Sequence, residues 1–76
     1  MPRFHMHIRH ADELIEDGEG EDFPSLVEAR TEAVKAAREL MAAQVASGKK
    51  PKRSSFEIAD ESGRVVLVFP FEEAIE

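Results

Sequence analysis

From Leu26 to Ala46 the chain runs without a glycine or a proline, and this stretch constrains the fold more than any other. It is rich in Ala, Leu, Glu, Arg and Met, the residues that lose least on entering a helix. Pro24 stands just before it, and Ser25 and Glu28 have the spacing of a capping box, a hydroxyl N-cap with a carboxylate three residues on. Leu26, Ala29, Ala33, Ala36, Ala37, Leu40, Met41 and Val45 recur at steps of three and four and form one apolar stripe. Gly48 stands where a left-handed C-cap belongs. A single long helix is therefore predicted. Its many alanines should let it lie close to the surface it covers.

That surface is predicted to be a sheet. In Arg3-Phe4-His5-Met6-His7-Ile8-Arg9 the apolar residues alternate strictly with polar ones, the period of a strand with one buried face. Leu14-Ile15, a short apolar pair between turn-forming residues, is expected to return as a second strand. Gly18 and Gly20 then offer positive-φ freedom in a carboxylate-rich loop. Near the C-terminus, residues 55–59 and 64–69 flank Asp60-Glu61-Ser62-Gly63 and read as a hairpin. Setting Ala59 opposite Arg64 aligns Ile58 with Val65 and Phe56 with Leu67, and puts Phe69 on the same face.

The last strand is apolar on both faces, so it is expected at the centre, between the first strand and its hairpin partner, as a split β-α-β arrangement with one added strand. Pro70 should stop it, with Phe71 and Ile75 forming a helical turn packed at the sheet end. The expected fold class is thus α+β: a small antiparallel sheet of three to four strands, in the order β(β)αββ, with one long helix on one face.

A chain of 76 residues makes one domain and buries only about 60% of its unfolded surface. It has no cysteine, which removes disulfides and thiolate zinc sites as staples. Homodimerisation is the expected source of further stability. No apolar run approaches the length of a membrane span, and the interrupted N-terminus does not look like a signal peptide, so the expected location is the cytoplasm. The net charge of −6 is unevenly spread. Asp12, Glu13, Glu16, Asp17, Glu19, Glu21 and Asp22 crowd one acidic segment, whereas Lys49, Lys50, Lys52 and Arg53 form a basic one.

Taken together, these segments resemble a family of short bacterial proteins of unknown function. Its members open with Met-Pro-Arg and an aromatic-rich strand ending in His-Leu/Ile-Arg, matched here by Met1-Pro2-Arg3-Phe4-His5-Met6-His7-Ile8-Arg9. An acidic stretch follows, then a Leu-x-x-Ala-Arg helix start, matched by Leu26-Val27-Glu28-Ala29-Arg30, and a closing Pro-Phe-x-x-Ala, matched by Pro70-Phe71-Glu72-Glu73-Ala74. The resemblance implies that His7 is the family's histidine, while His5 and His10 replace an aromatic and an acidic residue. It implies a small fold of this kind and carries no established activity. The helix entrance Asp22-Phe23-Pro24-Ser25-Leu26 is also similar to that of HicB-like antitoxins, whose partial domains bind a toxin protein.

Three kinds of chemistry can be read from the residues. His5 and His7 share one strand face, a spacing able to ligate a divalent metal with Glu57 or another carboxylate; partly exposed, hydrogen-bonded histidines are the plainer reading. Lys49, Lys50, Lys52 and Arg53 suit phosphates, but a basic stretch after a helix also offsets the helix's negative end, and the acidic total argues against nucleic acid. The acidic segment lacks the ligand spacing of a calcium loop and reads as solvated or as a contact for a basic partner. Catalysis has no support, because there is no nucleophile elbow and no phosphate-binding glycine loop. The expectation is a non-enzymatic interaction or regulatory module, a homodimer able to hold a further protein partner, that needs no cofactor. Its expected contact face carries His5, His7, Glu57, Val66 and Val68.

Overall fold

A computed structural model describes residues 1–49 and 53–75. The chain forms strands β1 (Arg3–His10), β2 (Glu13–Ile15) and β3 (Glu21–Asp22), helix α1 (Leu26–Ala46), strands β4 (Ser54–Ala59) and β5 (Val65–Pro70), and a closing 3-10 helix (Phe71–Ile75). All strand pairs are antiparallel. The sheet runs β2-β1-β4-β5, with β3 joining β1 beside β2, so the α+β class is as expected but the strands number five.

The helix forms for the reasons legible in its sequence. Ser25 accepts from the Val27 N–H at 3.3 Å, and its hydroxyl donates to the Glu28 carboxylate. At the other end Gly48 has φ +83°, and the N–H groups of Gly48 and Lys49 reach the carbonyls of Val45 and Gln44 at 3.0 Å each. That double closure is a Schellman cap. Ala29, Ala33 and Ala37 are completely buried, and they let the helix settle onto Phe4, Phe56, Ile58 and Phe69. All five phenylalanines lie in this one core, with Phe56 and Phe71 in ring contact at 4.8 Å.

The stripe ends sooner than its periodicity suggests. Leu40 is 40% exposed and Val45 60%, because the last turns of α1 pass beyond the core. Ile75, expected to pack at the sheet end, is likewise exposed; Phe71 and Ala74 are the residues of the 3-10 helix that bury. Of the two loop glycines only Gly20 takes positive φ, at +70°, and the tight β1–β2 turn instead places Ala11 in that region at +54°.

The position of β5 corrects the expected topology. β4, not β5, lies at the centre, paired to β1 on one side and β5 on the other, so there is no split β-α-β unit. The reason is direction of travel. β1 ends at His10, and residues 13–22 carry the chain back to its start, where β3 pairs Glu21 with Phe4. The Phe23 N–H then bonds the Pro2 carbonyl at 3.0 Å, and α1 departs from that end. The helix travels the length of the sheet, so the next strand begins beside His10 and must run antiparallel to β1. β5 runs parallel to β1 and cannot be its antiparallel neighbour.

The hairpin register is also shifted. Ile58 faces Leu67 and Phe56 faces Phe69, with an irregularity where Ala59 meets Val65. Phe56, Ile58, Leu67 and Phe69 still share the core face, but Val65 is 45% exposed rather than core-facing. The Asp60 carboxylate explains the shift. It accepts from the N–H groups of Ser62 and Arg64 and from the Ser62 hydroxyl, while the Asp60 N–H reaches the Arg64 carbonyl at 2.9 Å. The Ser62 hydroxyl holds that carboxyl below its usual range; burial opposes the shift and the two N–H donors add to it.

Candidate functional site

The face of the sheet turned away from α1 collects the residues singled out in the sequence. His7 on β1, Glu57 on β4 and Val68 on β5 stand in one cross-strand row. His5 lies in the next row, opposite Ala59, and Val66 falls at the irregularity in β5, between the paired residues Val65 and Leu67. Arg9, which shares the parity of the two histidines, was not among the expected site residues. It belongs here, because its Nε donates to Glu57 Oε2 at 2.8 Å. That bond holds the Glu57 carboxyl below the usual carboxylate range; burial opposes the shift, and the charges of Arg9 and His7 support it. The same pair raises Arg9.

His5 and His7 stack with ring centroids 6.1 Å apart and grip the backbone of Asp17 between them. The Asp17 N–H donates to His7 Nδ1 at 2.9 Å, so His7 carries its proton on Nε2. The Asp17 carbonyl lies 2.8 Å from His5 Nδ1, so that nitrogen is the donor, and in the neutral ring His5 Nε2 keeps its lone pair. In this arrangement the pair presents one free imine nitrogen. His7 becomes a second ligand only by giving up Asp17. Among the described residues no group of three or more His, Cys, Asp or Glu side chains is placed to share an ion.

The Asp17 side chain is held as firmly as its backbone. Oδ2 accepts from the Met6 N–H at 3.0 Å, and Oδ1 from those of Gly20 at 3.1 Å and Glu19 at 3.3 Å. Burial pushes this carboxyl up, but the three N–H donors and the charge of His5 outweigh it and leave it below its ordinary value. Gly20 closes the loop so tightly that a Cβ there would stand 2.9 Å from both His5 Cε1 and the Phe4 carbonyl. Nothing in the local spacing announces this role for Asp17. It is one of seven acidic residues between positions 12 and 22, and only the returning loop selects it.

The other six carboxylates are dispersed. Glu13 lies in β2 and Glu21 and Asp22 in β3, with Asp22 paired to Arg3 at 3.3 Å. Asp12 and Glu16 flank β2 on exposed backbone, and the Glu19 carbonyl accepts from Arg3 Nη1 at 2.6 Å. Of the basic patch, Lys49 completes the helix cap and Arg53 is exposed beside β4, whereas Lys50 and Lys52 lie outside the described residues. His10 bonds through Nδ1 to the buried Ser54 Oγ at 2.8 Å, which ties the end of β1 to the start of β4.

Two clefts open at this end of the molecule. One of about 730 Å³ lies between the last turns of α1 and the 3-10 helix, lined by Arg38, Met41, Val45, Arg53, Phe71 and Ile75 among others. Arg38 donates through Nε to the Ala74 carbonyl at 2.5 Å, fastening the helix to the C-terminal turn. A smaller cleft of about 460 Å³ includes Arg9, Arg53, Ser55, Val68 and Glu72. No helix among the described residues is long and apolar enough to cross a membrane.

No curated protein and no solved structure matches this chain. The sequence model of one family does, over residues 3–72, a span running from the first residue of β1 into the 3-10 helix and so taking in the whole sheet, α1 and the Asp17 loop. The chain belongs to the DUF6894 family, a domain of unknown function.

Proposed function

We propose that this protein is a non-enzymatic interaction module that works as a homodimer, with β5 as the strand that meets the second copy. The observation that carries this reading is the character of the sheet edge. β5 is the last strand of the sheet, and from Val65 to Phe69 it has no charge and no proline. Val65, Val66 and Val68 are exposed by 45%, 37% and 56%. Natural edge strands are usually blunted by charge, proline or a covering segment, because their open backbone groups recruit other strands. Among the described residues of this strand, Pro70 at its end is the one of that kind.

The segment also suits a two-fold axis. Centred on Leu67, an antiparallel pair sets Val66 of each copy opposite Val68 of the other, as an isologous contact demands. The open face beside it, with His7, Arg9 and Glu57, then supplies a polar rim, and a heterologous protein partner is accommodated on the same face. The absence from the sequence of cysteine, a nucleophile elbow and a phosphate-binding glycine loop supports the non-enzymatic part of the reading. Sedimentation velocity across a concentration series tests it. The expected result is a dimer that Val68→Lys converts to a monomer with an unchanged circular dichroism spectrum. A wild-type chain that stays monomeric at high concentration, or a dimer indifferent to Val68→Lys, overturns it.

A further inference from the structure

We infer that the cleft between the last turns of α1 and the 3-10 helix is a binding site for a single-chain amphiphile with one carboxylate head, a ligand of the fatty-acid class. Its volume of about 730 Å³ lies within the range of small-molecule sites, about 300–1,000 Å³. Its apolar wall joins two residues the fold leaves uncovered, Val45 and Ile75, to the half-buried Met41 and the buried Phe71. Met41 and Val45 continue the helix stripe beyond the sheet, and Phe71 and Ile75 face the same space from the 3-10 helix. Val45 and Ile75 are 60% and 67% exposed. An alkyl chain laid between them removes from water the apolar surface that the core does not reach.

The rim specifies the head group. Among the described residues the charged groups lining the cleft are Arg38, Arg53 and Glu72, which leaves one net positive charge among these three. A single carboxylate matches that balance, whereas a dianion meets Glu72 as a repulsive neighbour. Arg38 is already positioned, because its bond to the Ala74 carbonyl uses one of its five N–H donors and anchors the guanidinium at the cleft. Guanidinium–carboxylate contacts are charge-assisted and are the stronger class of hydrogen bond.

The test uses the full chain and dodecanoate below its micellar concentration, measured by isothermal titration calorimetry, with dodecanol as the uncharged probe. The expected result is saturable binding of one dodecanoate per chain, and dodecanol weaker by about tenfold, a difference of about 1.4 kcal/mol. Arg53→Gln should weaken dodecanoate by a similar factor and leave dodecanol unchanged, and Val45→Asp should abolish both. Both substitutions fall at exposed positions, so circular dichroism should match the wild type. Val68→Lys, at the sheet edge, should bind dodecanoate as the wild type does, which separates this site from the dimer edge. Absence of saturable binding, equal affinity for the two probes, or indifference to Arg53→Gln overturns the inference.

Discussion

Along the outer side of β1 the chain supplies its own covering in three pieces. β3 pairs with residues 3 and 4, the Asp17 carboxylate takes the Met6 N–H, and β2 pairs with residues 8–10. A side chain thus stands in for a strand where the strand is interrupted. Along the outer side of β5, the other margin of the sheet, no described strand pairs. Both strands bury alternate apolar residues in the same core, although the other face of β1 is polar and that of β5 apolar, and it is the path of the chain that sets which edge is paired. What differs is where the chain goes next. After β1 it folds back along the strand, whereas after β5 it turns into the 3-10 helix and packs against α1. Edge protection here is a property of the connection, not of the strand, and it leaves one margin for the dimer contact we propose.

This contrast breaks most severely at Gly20. Gly20→Ala forces a Cβ into a left-handed position against His5 and the Phe4 carbonyl, and should destabilise the fold by about 1–3 kcal/mol. Urea unfolding measures the loss, and a substitution at Gly18, where nothing lies within 4 Å of a Cβ, is the control. Asp17→Ala comes next, because it leaves the Met6, Glu19 and Gly20 N–H groups without their acceptor. A loss of about 1–2 kcal/mol is expected, with faster amide exchange at Met6 than at Ile58 on the central strand.

Acid sharpens the same point. The folded Asp17 carboxyl lies below its ordinary 3.8, so at low pH the unfolded chain binds more protons there than the folded one. Its stabilisation is complete well above that value and is withdrawn as pH falls through the folded one. Glu57 acts in the same direction from below its ordinary 4.5. Asp17→Asn should therefore flatten the acid limb of a plot of Tm against pH, which is read by differential scanning calorimetry. The smallest effect on the fold belongs to the bare edge. Val68→Lys should change monomer stability by less than about 0.5 kcal/mol while removing the dimer. A large loss of stability there would mean that β5 is not a free edge.

Much of this was legible residue by residue. The caps of α1, the alternation of β1 and the shared core face of Phe56, Ile58, Leu67 and Phe69 follow from periods of 3.6 and two and from the demands of helix ends. His7, Glu57 and Val68 were assignable to one cross-strand row for the same reason, since parity survives a two-residue shift of register, whereas the irregularity at Val66 has no signature in the sequence. β3 was not legible, because two acidic residues have no period. With it went the order of the strands, for the return along β1 sets the direction in which α1 must run.

The sequence by itself determined which residues form α1, β1, β4 and most of β5 and which of their faces is buried, because those properties rest on neighbours within a few positions along the chain. The tertiary structure alone decided that β4 is central, that no described strand pairs the outer side of β5, and that Asp17, among the seven acidic residues of its segment, closes the β1 edge. It also decided that Val45 ends exposed beside a cleft instead of in the core. These outcomes depend on where distant segments arrive in space, and local periodicity carries no record of that.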